Sequence, residues 1–430
     1  MNTGGMNKKT AVLLLASSLF TAQAAEVRFY SSFSEVRQVQ TLKTNELSAS
    51  FDLESINQMV PGTLTLEGVK IVSQLQTAAP TKSWLEAYEG QTVFLREGDK
   101  LTEVKLIRAS DGTVQDLKTG RYRVGVNVQS LEFPSLPPLQ DPGKVTVKFG
   151  VDKPGTATLS YLSRALSWSP RYTLSVDKAG IPKLESLADL RNATSEAVKV
   201  DSSELVAGEV NLTESGQPYP MPPSPMARGN FQADAVMSAP APQIGAGVEG
   251  AGVYSFALSN TFTLPARSVY SLPFLTPKVT LERVDVLSTY FNPGFSKGKL
   301  NRLYRLKSDV LLPSGAVTVR DEGRLVGQAR LSDLAIGEQG ELYLGSDPDV
   351  SYARAVQTLT QDKKGASYRV TLTLTNAKKR DVAVEYTENF SGKVVLEGQA
   401  ERANEGLKIK GTIPAGGKLE RSYTLKFSNE

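Results

Sequence analysis

Apolar residues recur at every second position in run after run of this chain beyond residue 25. In one run, Val370, Leu372 and Leu374 alternate with the polar residues Arg369 and Thr371. Because successive side chains of a β-strand point to opposite faces, this period puts the apolar set on one face of a sheet. Pro-Gly and Asp-Gly turn signals separate the runs at short intervals. The pattern predicts an all-β chain of tandem antiparallel β-sandwich domains, the last of them immunoglobulin-like.

The chain of 430 residues is long enough for about three domains after a leader. We expect an N-terminal β domain over residues 25–150, a central β-sandwich over residues 151–345 and an immunoglobulin-like β-sandwich over residues 346–430. A hydrophobic content of 40% is ordinary for a chain that builds cores in each of these units.

The first 24 residues have the layout of a secretory signal peptide. Two lysines precede the apolar run Ala11–Phe20, and the small-x-small sequence Ala22–Ala24 follows it. Met6 is an alternative start to Met1. The run is too short to span a bilayer, and no later run of 18 apolar residues follows, so no transmembrane helix is expected. The sequence therefore predicts export to the periplasm or the cell surface.

A Pro-rich segment, residues 215–252, interrupts the alternation and contains seven prolines. Proline removes backbone donors, and glycine, alanine and serine add little apolar area, so we predict a disordered segment. Strand-like runs flank it on both sides, which favours an insertion within the central sandwich over a linker between domains. Pro220, Pro222 and Pro223 are candidate partner contacts through a polyproline II stretch, and a plain spacer is the alternative.

Histidine and cysteine are both absent from the sequence. Without histidine there is no Ser-His-Asp or Cys-His nucleophile system and no imidazole proton shuttle. Without cysteine there is no disulfide, thiolate zinc site or iron–sulfur cluster. We expect no cofactor and no catalytic residue, and any catalysis would depend on carboxylates or on serine with lysine.

The short motifs that resemble catalytic sites lack the necessary context. Gly294–Gly298 matches G-x-S-x-G, but that motif needs a histidine base and a following helix, so we interpret it as a turn. Ser175–Lys178 and Ser296–Lys299 match Ser-x-x-Lys without its helical geometry. Asp347 and Asp349 are too few for a calcium loop and favour a solvated turn.

Two basic turns are predicted in the last sandwich. Lys363 and Lys364 occupy one turn, and Lys378, Lys379 and Arg380 occupy the other. Clustered at one end of a sandwich, they would contact anionic envelope polymer or lipid headgroups, whereas an ordinary solvated hairpin is the alternative. The formal net charge of +4 lacks the basic excess of a nucleic-acid-binding protein, so no nucleic-acid partner is expected.

Several short motifs after residue 150 resemble those of the DUF4139 family, a bacterial domain of unknown function that also occurs in mucoidy-inhibitor-like proteins. They are a tyrosine followed by A-x-W-x-P-x-Y-x-L, an N-x-T-x-E turn, an L-P-S-G turn and two later glycine positions. The residues that carry the resemblance are Tyr161, Trp168, Pro170, Tyr172, Asn192, Pro313, Gly315, Gly327 and Gly345.

The resemblance covers about residues 150–430 and implies β-sandwich architecture in a cell-envelope setting, without any catalytic residue to carry over. Ala197 stands where many relatives have tryptophan, and the chain has no sustained heptads of a coiled coil. Trp168 and Tyr172 share one face of an extended segment, so we interpret both as core residues. A platform for stacking carbohydrate is the alternative.

These patterns favour an exported, non-enzymatic protein of the cell envelope that binds or scaffolds other proteins or surface polymer. The alternative is a carboxylate-based hydrolase of envelope glycan, which requires two acids facing one cleft.

Overall fold

The structure, a computed structural model, describes residues 25–78, 83–137, 143–213 and 241–428. The predicted signal peptide, Pro220, Pro222 and Pro223 lie outside these residues. Within them nearly all of the regular secondary structure is β-strand, in several mainly antiparallel sheets, which confirms the predicted all-β class. No helix in these four ranges is long and apolar enough to cross a membrane.

The elements before residue 140 are short, and two of them are single-turn 3-10 helices, Trp84–Tyr88 and Val128–Ser130. The others are β1 (Ala25–Phe29), β2 (Ser34–Leu42), β3 (Glu46–Asp52), α1 (Leu53–Gln58), β4 (Thr65–Glu67), β5 (Ile71–Ala78), β6 (Thr92–Glu97), β7 (Lys100–Arg108), β8 (Thr113–Asp116), β9 (Tyr122–Arg123) and β10 (Leu131–Glu132).

The strands that follow are longer and run on both sides of the Pro-rich segment. They are β11 (Lys144–Val151), β12 (Gly155–Ser163), β13 (Leu166–Val176), β14 (Pro182–Asn192), β15 (Val198–Ala207), β16 (Val248–Gly250), β17 (Val253–Leu258), β18 (Phe262–Leu264) and β19 (Ser268–Pro273).

The last group includes the longest strands. They are β20 (Val279–Tyr290), β21 (Ser296–Ser308), β22 (Gly315–Asp321), β23 (Arg324–Leu331), β24 (Gly340–Asp362), β25 (Gly365–Asn376), β26 (Val382–Asn389), β27 (Lys393–Gly398), β28 (Glu401–Ala403), β29 (Gly406–Ile413) and β30 (Lys418–Ser428).

The first sheet joins strands from both sides of residue 150, in the order β16-β17-β15-β1-β2-β12-β4 with β18 also on β15. β1 lies between β2 and its parallel partner β15. One part of this sheet packs against β13, β14 and β19 around a first core. Another part packs against the small sheet β3-β11-β5 around a second core. The expected N-terminal and central units therefore share a sheet.

A five-stranded sheet, in the order β10-β6-β7-β8-β9, packs against the 3-10 helix Trp84–Tyr88 around its own core. The Ser83 side chain accepts the Leu85 N–H at 3.3 Å, and the Glu86 carboxylate accepts the Ser83 N–H at 3.2 Å. This reciprocal capping satisfies backbone donors at the helix start. The arrangement explains why a single helical turn forms where the sequence has Trp84 and Leu85.

β13 buries alternate residues, as the period-two pattern predicts. Trp168, Pro170 and Tyr172 all face inward, and the Trp168 indole N–H donates to the Val206 carbonyl at 3.0 Å. Pro170 pairs only with β14, because the parallel pairing of β13 with β22 begins at Arg171. The proline, which lacks an N–H, therefore occupies a local edge of the strand.

Residues 241–252 correct the prediction of disorder for residues 215–252. Ile244 forms a bridge to Leu258 and packs against the first core, and β16 pairs with β17. Gly247 passes so close to the Phe256 ring that a Cβ there would lie 2.6 Å from a ring carbon. Small residues here permit close packing. β15, β16 and β17 lie in one sheet, so the chain on both sides of the Pro-rich segment belongs to the same sheet.

Three long strands, β20, β21 and β24, pass from a third core into a fourth core. Leu342 and Leu344 on β24 belong to the third core, and Val350 on the same strand belongs to the fourth. Gly345 lies between them with φ of 82°, a conformation that glycine adopts without strain. The boundary expected at residue 345 therefore falls inside a continuous strand.

The fourth core lies inside a curled sheet of order β27-β30-β25-β24-β21-β20-β26-β29-β28. Two of these strands, β20 and β21, precede residue 345 in the described chain. The C-terminal sandwich thus needs strands from outside residues 346–430.

We predict that Gly315→Ala destabilises the fold by about 1–3 kcal/mol, the usual cost of overpacking. A Cβ at this position would lie 2.4 Å from the Pro170 carbonyl oxygen and 2.9 Å from the Tyr172 ring. Chemical denaturation measures the free energy of unfolding. Gly155→Ala is the matched control, because its Cβ would meet nothing within 4 Å. Equal losses in the two variants would contradict the predicted close packing.

Candidate functional site

Four residues of the family-like motifs, Pro170, Tyr172, Pro313 and Gly315, contact one another. The Tyr172 hydroxyl donates to the Pro313 carbonyl at 2.8 Å, and Gly315 packs against Pro170. Gly327 lies against Leu344, where a Cβ would be 3.2 Å from a methyl group. These contacts join β13 to the β22–β24 region. They support a structural role for the motif, with Trp168 and Tyr172 too deeply buried to stack on a ligand.

Asn192 ends β14 and holds a chain corner through its side-chain amide. Its Oδ1 accepts the Thr194 N–H at 2.9 Å, and its Nδ2 donates to the carbonyls of Glu196, Leu264 and Pro265 at 2.8, 3.2 and 3.0 Å. The amide therefore satisfies backbone groups of two separate segments at once. Tyr161, the first residue of the motif, lies partly buried between the first and second cores.

Asn376 ends β25 and holds a second corner of the same design. Its Oδ1 accepts the Lys378 N–H at 2.9 Å, and its Nδ2 donates to the carbonyls of Arg380, Ile413 and Pro414 at 2.8, 3.3 and 3.1 Å. Both corner asparagines are 1% exposed. The basic turn therefore has its backbone fixed at both ends.

The two corners belong to an internal repeat that the alternating pattern does not reveal. The pattern L-x-N-A-x₄-V-x-V occurs at Leu190–Val200 and at Leu374–Val384, and T-[LI]-P-A occurs at Thr263–Ala266 and at Thr412–Ala415. The pairing repeats as well: β14 pairs with β19 and β15 with β18, as β25 pairs with β30 and β26 with β29. The first copy has 35 more residues between its motifs, where the Pro-rich insertion lies.

The two copies differ in the charge of the turn. The first turn carries Thr194, Ser195 and Glu196, and the second carries the predicted contact residues Lys378, Lys379 and Arg380. With Arg283 on β20 and Arg302 on β21, these three residues form what we call the basic corner.

A cavity of about 50 Å³ lies within the basic corner, lined in part by Arg283, Asp285, Arg302, Lys378 and Arg380. It has room for a few water molecules or one small group. The Arg302 guanidinium donates to the Leu344 carbonyl at 2.9 Å, and its Nε is buried without a hydrogen-bond partner in the described chain. Lys379 and Arg380 are exposed beside the cavity.

Three carboxylates balance part of this charge. The Lys378 ammonium pairs with Asp347, and it lies 3.9 Å from Asp285. Arg283 pairs with Asp321 at 2.9 Å. Lys379 and Arg380 form no ion pair with any described residue, and both residues are exposed. Asp347 is 1% exposed within β24 and pairs with Lys378, so the interpretation of Asp347 and Asp349 as a solvated turn is wrong for Asp347.

Burial raises the pKa of Asp285 to about 6, with a further increase from the neighbouring Asp347 carboxylate and an opposing effect from Lys378 and Arg302. Asp285 is 4% exposed. A carboxyl whose pKa lies above its unfolded value opposes folding once it ionises. The charge in the basic corner thus changes between about pH 4 and pH 7.

The G-x-S-x-G motif begins in the turn between β20 and β21, and Ser296 begins a strand rather than a helix. The buried Arg354 donates to the carbonyls of Asn292 and Gly294 at 2.8 and 3.2 Å. Arg354 also pairs at 2.5 Å with Glu388, a buried carboxylate whose pKa burial raises. This network supports the turn from inside the fourth core.

The two predicted basic turns do not cluster. Lys363 and Lys364 precede β25, and Lys378, Lys379 and Arg380 follow it. A strand of 12 residues separates the turns by about 36 Å. The expectation of one shared basic end is wrong, because a single strand carries the chain from one end of the sandwich to the other.

Comparison with known protein families finds no match for this chain, and no curated protein matches it either.

We predict that Asn376→Ala costs about 2–3 kcal/mol of stability. The Lys378 N–H and the carbonyls of Arg380 and Ile413 would lose this partner, and lost bonds to buried groups carry a penalty of this order. The Pro414 carbonyl would keep the Gly417 N–H at 2.9 Å. Asn192→Ala should behave alike. Denaturant unfolding gives the free energies, with Asn301→Ala as the control because Asn301 is exposed on β21. A loss at Asn301 as large as that at Asn376 would refute the role of the corner.

We predict that Asp285→Asn reduces the loss of stability between about pH 4 and pH 7 by about 2 kcal/mol. The raised pKa of Asp285 means that the folded state binds more protons than the unfolded state across this window, so wild-type stability falls as pH rises. Denaturant titrations at several pH values measure the effect. Asp349→Asn removes an exposed carboxylate nearby as a control, and identical pH profiles for wild type and Asp285→Asn would contradict the prediction.

Proposed function

We propose that this chain is an exported, non-enzymatic cell-envelope protein that binds or scaffolds other proteins or surface polymer. The resemblance to the DUF4139 family and the leader-like residues 1–24 support the envelope setting. Within that function, we propose that the basic corner binds an anionic surface polymer.

The fixed backbone of the basic turn is the observation that carries this proposal. Lys378 is held by the Asn376 amide and by Asp347, so Lys379 and Arg380 project from a turn that needs little ordering on binding. Exposed cations on such a turn contact anionic groups at low entropic cost. Arg302 lines the nearby cavity and adds a further cation to the basic corner.

The same turn in the first copy of the repeat supports a specialised role for the second. Both copies use a corner asparagine with an equivalent set of hydrogen bonds, so basic residues are not needed to build the corner. Thr194, Ser195 and Glu196 occupy the turn of the first copy. The charge of Lys379 and Arg380 is therefore available for binding.

The alternative, a hydrolase of envelope glycan, draws support from Asp285 and Asp347 near one cavity. Both carboxylates are almost fully buried, and the Lys378 ammonium approaches both of them. A glycosidase needs its two acids to face a groove that admits a sugar between them. A lysine fills that position here, so the geometry favours binding over hydrolysis.

The Pro-rich segment is a second proposed contact with envelope proteins. Because residues 241–252 contribute to the first sheet, a deletion that tests the segment should remove only residues 215–240. We expect this deletion to leave thermal stability unchanged and to reduce capture of envelope proteins. Retention of every captured protein would assign the segment to a spacer.

We predict that Lys379→Gln/Arg380→Gln weakens binding to a soluble polyanion, such as fluorescent poly-glutamate, and to isolated cell envelopes by at least fivefold. The salt dependence of binding should also become shallower, because fewer cations contact the polymer. Fluorescence anisotropy at several salt concentrations measures both quantities.

Lys363→Gln/Lys364→Gln is the matched control, since it removes the same charge at the opposite end of β25. We expect its affinity to stay within twofold of wild type. Equal weakening in both double variants would mean that overall charge, rather than the basic corner, drives binding.

A further inference from the structure

β5 is an edge strand without a partner on its outer side. It forms an antiparallel pair with β11, and no other described strand or backbone group pairs with it. Its alternate N–H and C=O groups therefore face outward without partners from the described residues. Val72 and Leu75 are 68% and 61% exposed on this strand.

The composition of β5 lacks the usual protection of a sheet edge. Ile71–Ala78 contains no charged residue and no proline. Natural sheets commonly place lysine, proline or a covering segment at such an edge, because an uncharged edge pairs readily with another strand. The sequence here leaves the edge open to pairing.

The centre of β5 reads nearly the same in both directions: Ser73, Gln74, Leu75, Gln76 and Thr77. A two-fold axis at Leu75 would set leucine opposite leucine, glutamine opposite glutamine and serine opposite threonine. Residues directly opposite in an antiparallel pair lie on the same face, and this register preserves that rule. A two-fold interface must complement itself, and a nearly palindromic strand does so by placing like residue types opposite each other.

The two glutamines of β5 share the inner face of the sheet. Gln76 pairs with Val147 of β11, and Gln74 pairs with Phe149. In the two-fold pairing, Gln74 of the second copy lies opposite Gln76 on this face, so two polar amides meet each other rather than an apolar or charged side chain.

We propose that β5 pairs antiparallel with β5 of a second copy of this chain, about a two-fold axis at Leu75. The sheets β3-β11-β5 of two copies then form one continuous sheet. β5 carries no charged residue, so no like charges face each other across this interface. The proposal goes beyond the binding of anionic polymer because it uses a different surface.

Single cysteines test the register directly, because the natural chain has none. Opposed residues have Cα atoms about 4.5–5.5 Å apart, within the range for a disulfide. We expect purified Leu75→Cys to form a disulfide-linked dimer under mild oxidation at micromolar concentration. Thr77→Cys should cross-link at least fivefold less, since its copies would lie about 13 Å apart along the strands.

Val395→Cys is the control for random collision, because Val395 is 57% exposed on the edge strand β27. Cross-linking at Thr77 or Val395 equal to that at Leu75 would overturn the proposal.

Sedimentation equilibrium of the cysteine-free protein provides a second measurement. We expect wild type to dimerise and Leu75→Lys, which sets two lysines opposite each other, to dimerise at least tenfold more weakly. Val395→Lys should match wild type. A wild-type protein that stays monomeric throughout the micromolar range would overturn the proposal, whereas failure of polymer binding alone would leave the dimer intact.

Discussion

Two buried asparagine side chains hold the turns from β14 to β15 and from β25 to β26. Each amide binds the backbone of its own turn and the end of a strand far along the sequence. A buried carbonyl without a partner is costly, so each corner fixes the relative position of the strands that meet there. The two copies of the corner can then differ in their loops and charge while the strands that meet there keep their relative positions.

The alternating pattern was sufficient to predict the all-β class and the inward direction of Trp168 and Tyr172. It could not show that β20, β21 and β24 pass through two cores, because periodicity reports the face of a residue and not its sandwich. The positions of the two basic turns were misjudged for a related reason, since strand direction determines which end each turn occupies. The repeat around Asn192 and Asn376 was visible in the sequence as two similar strings.

β5 and the end of the Pro-rich segment have structural features that the sequence pattern did not predict. The apolar residues of β5 do not alternate, so the pattern did not predict this strand. Its capacity for pairing comes from its position at the edge of the sheet. The end of the Pro-rich segment looks poor in apolar residues, yet Ile244 and Gly247 fit against the first core. Composition averages over a window, whereas packing depends on single residues that meet partners remote in sequence.

The position of β1 has a consequence for the order in which the chain acquires structure. Ala25 at its start pairs with Val200, about 175 residues later, so the first sheet stays incomplete until β15 has been made. At about 5–20 residues per second, synthesis of that stretch takes roughly 10–35 s. Contacts this remote also slow folding itself. β1 therefore lacks its parallel partner until about half of the polypeptide has left the ribosome.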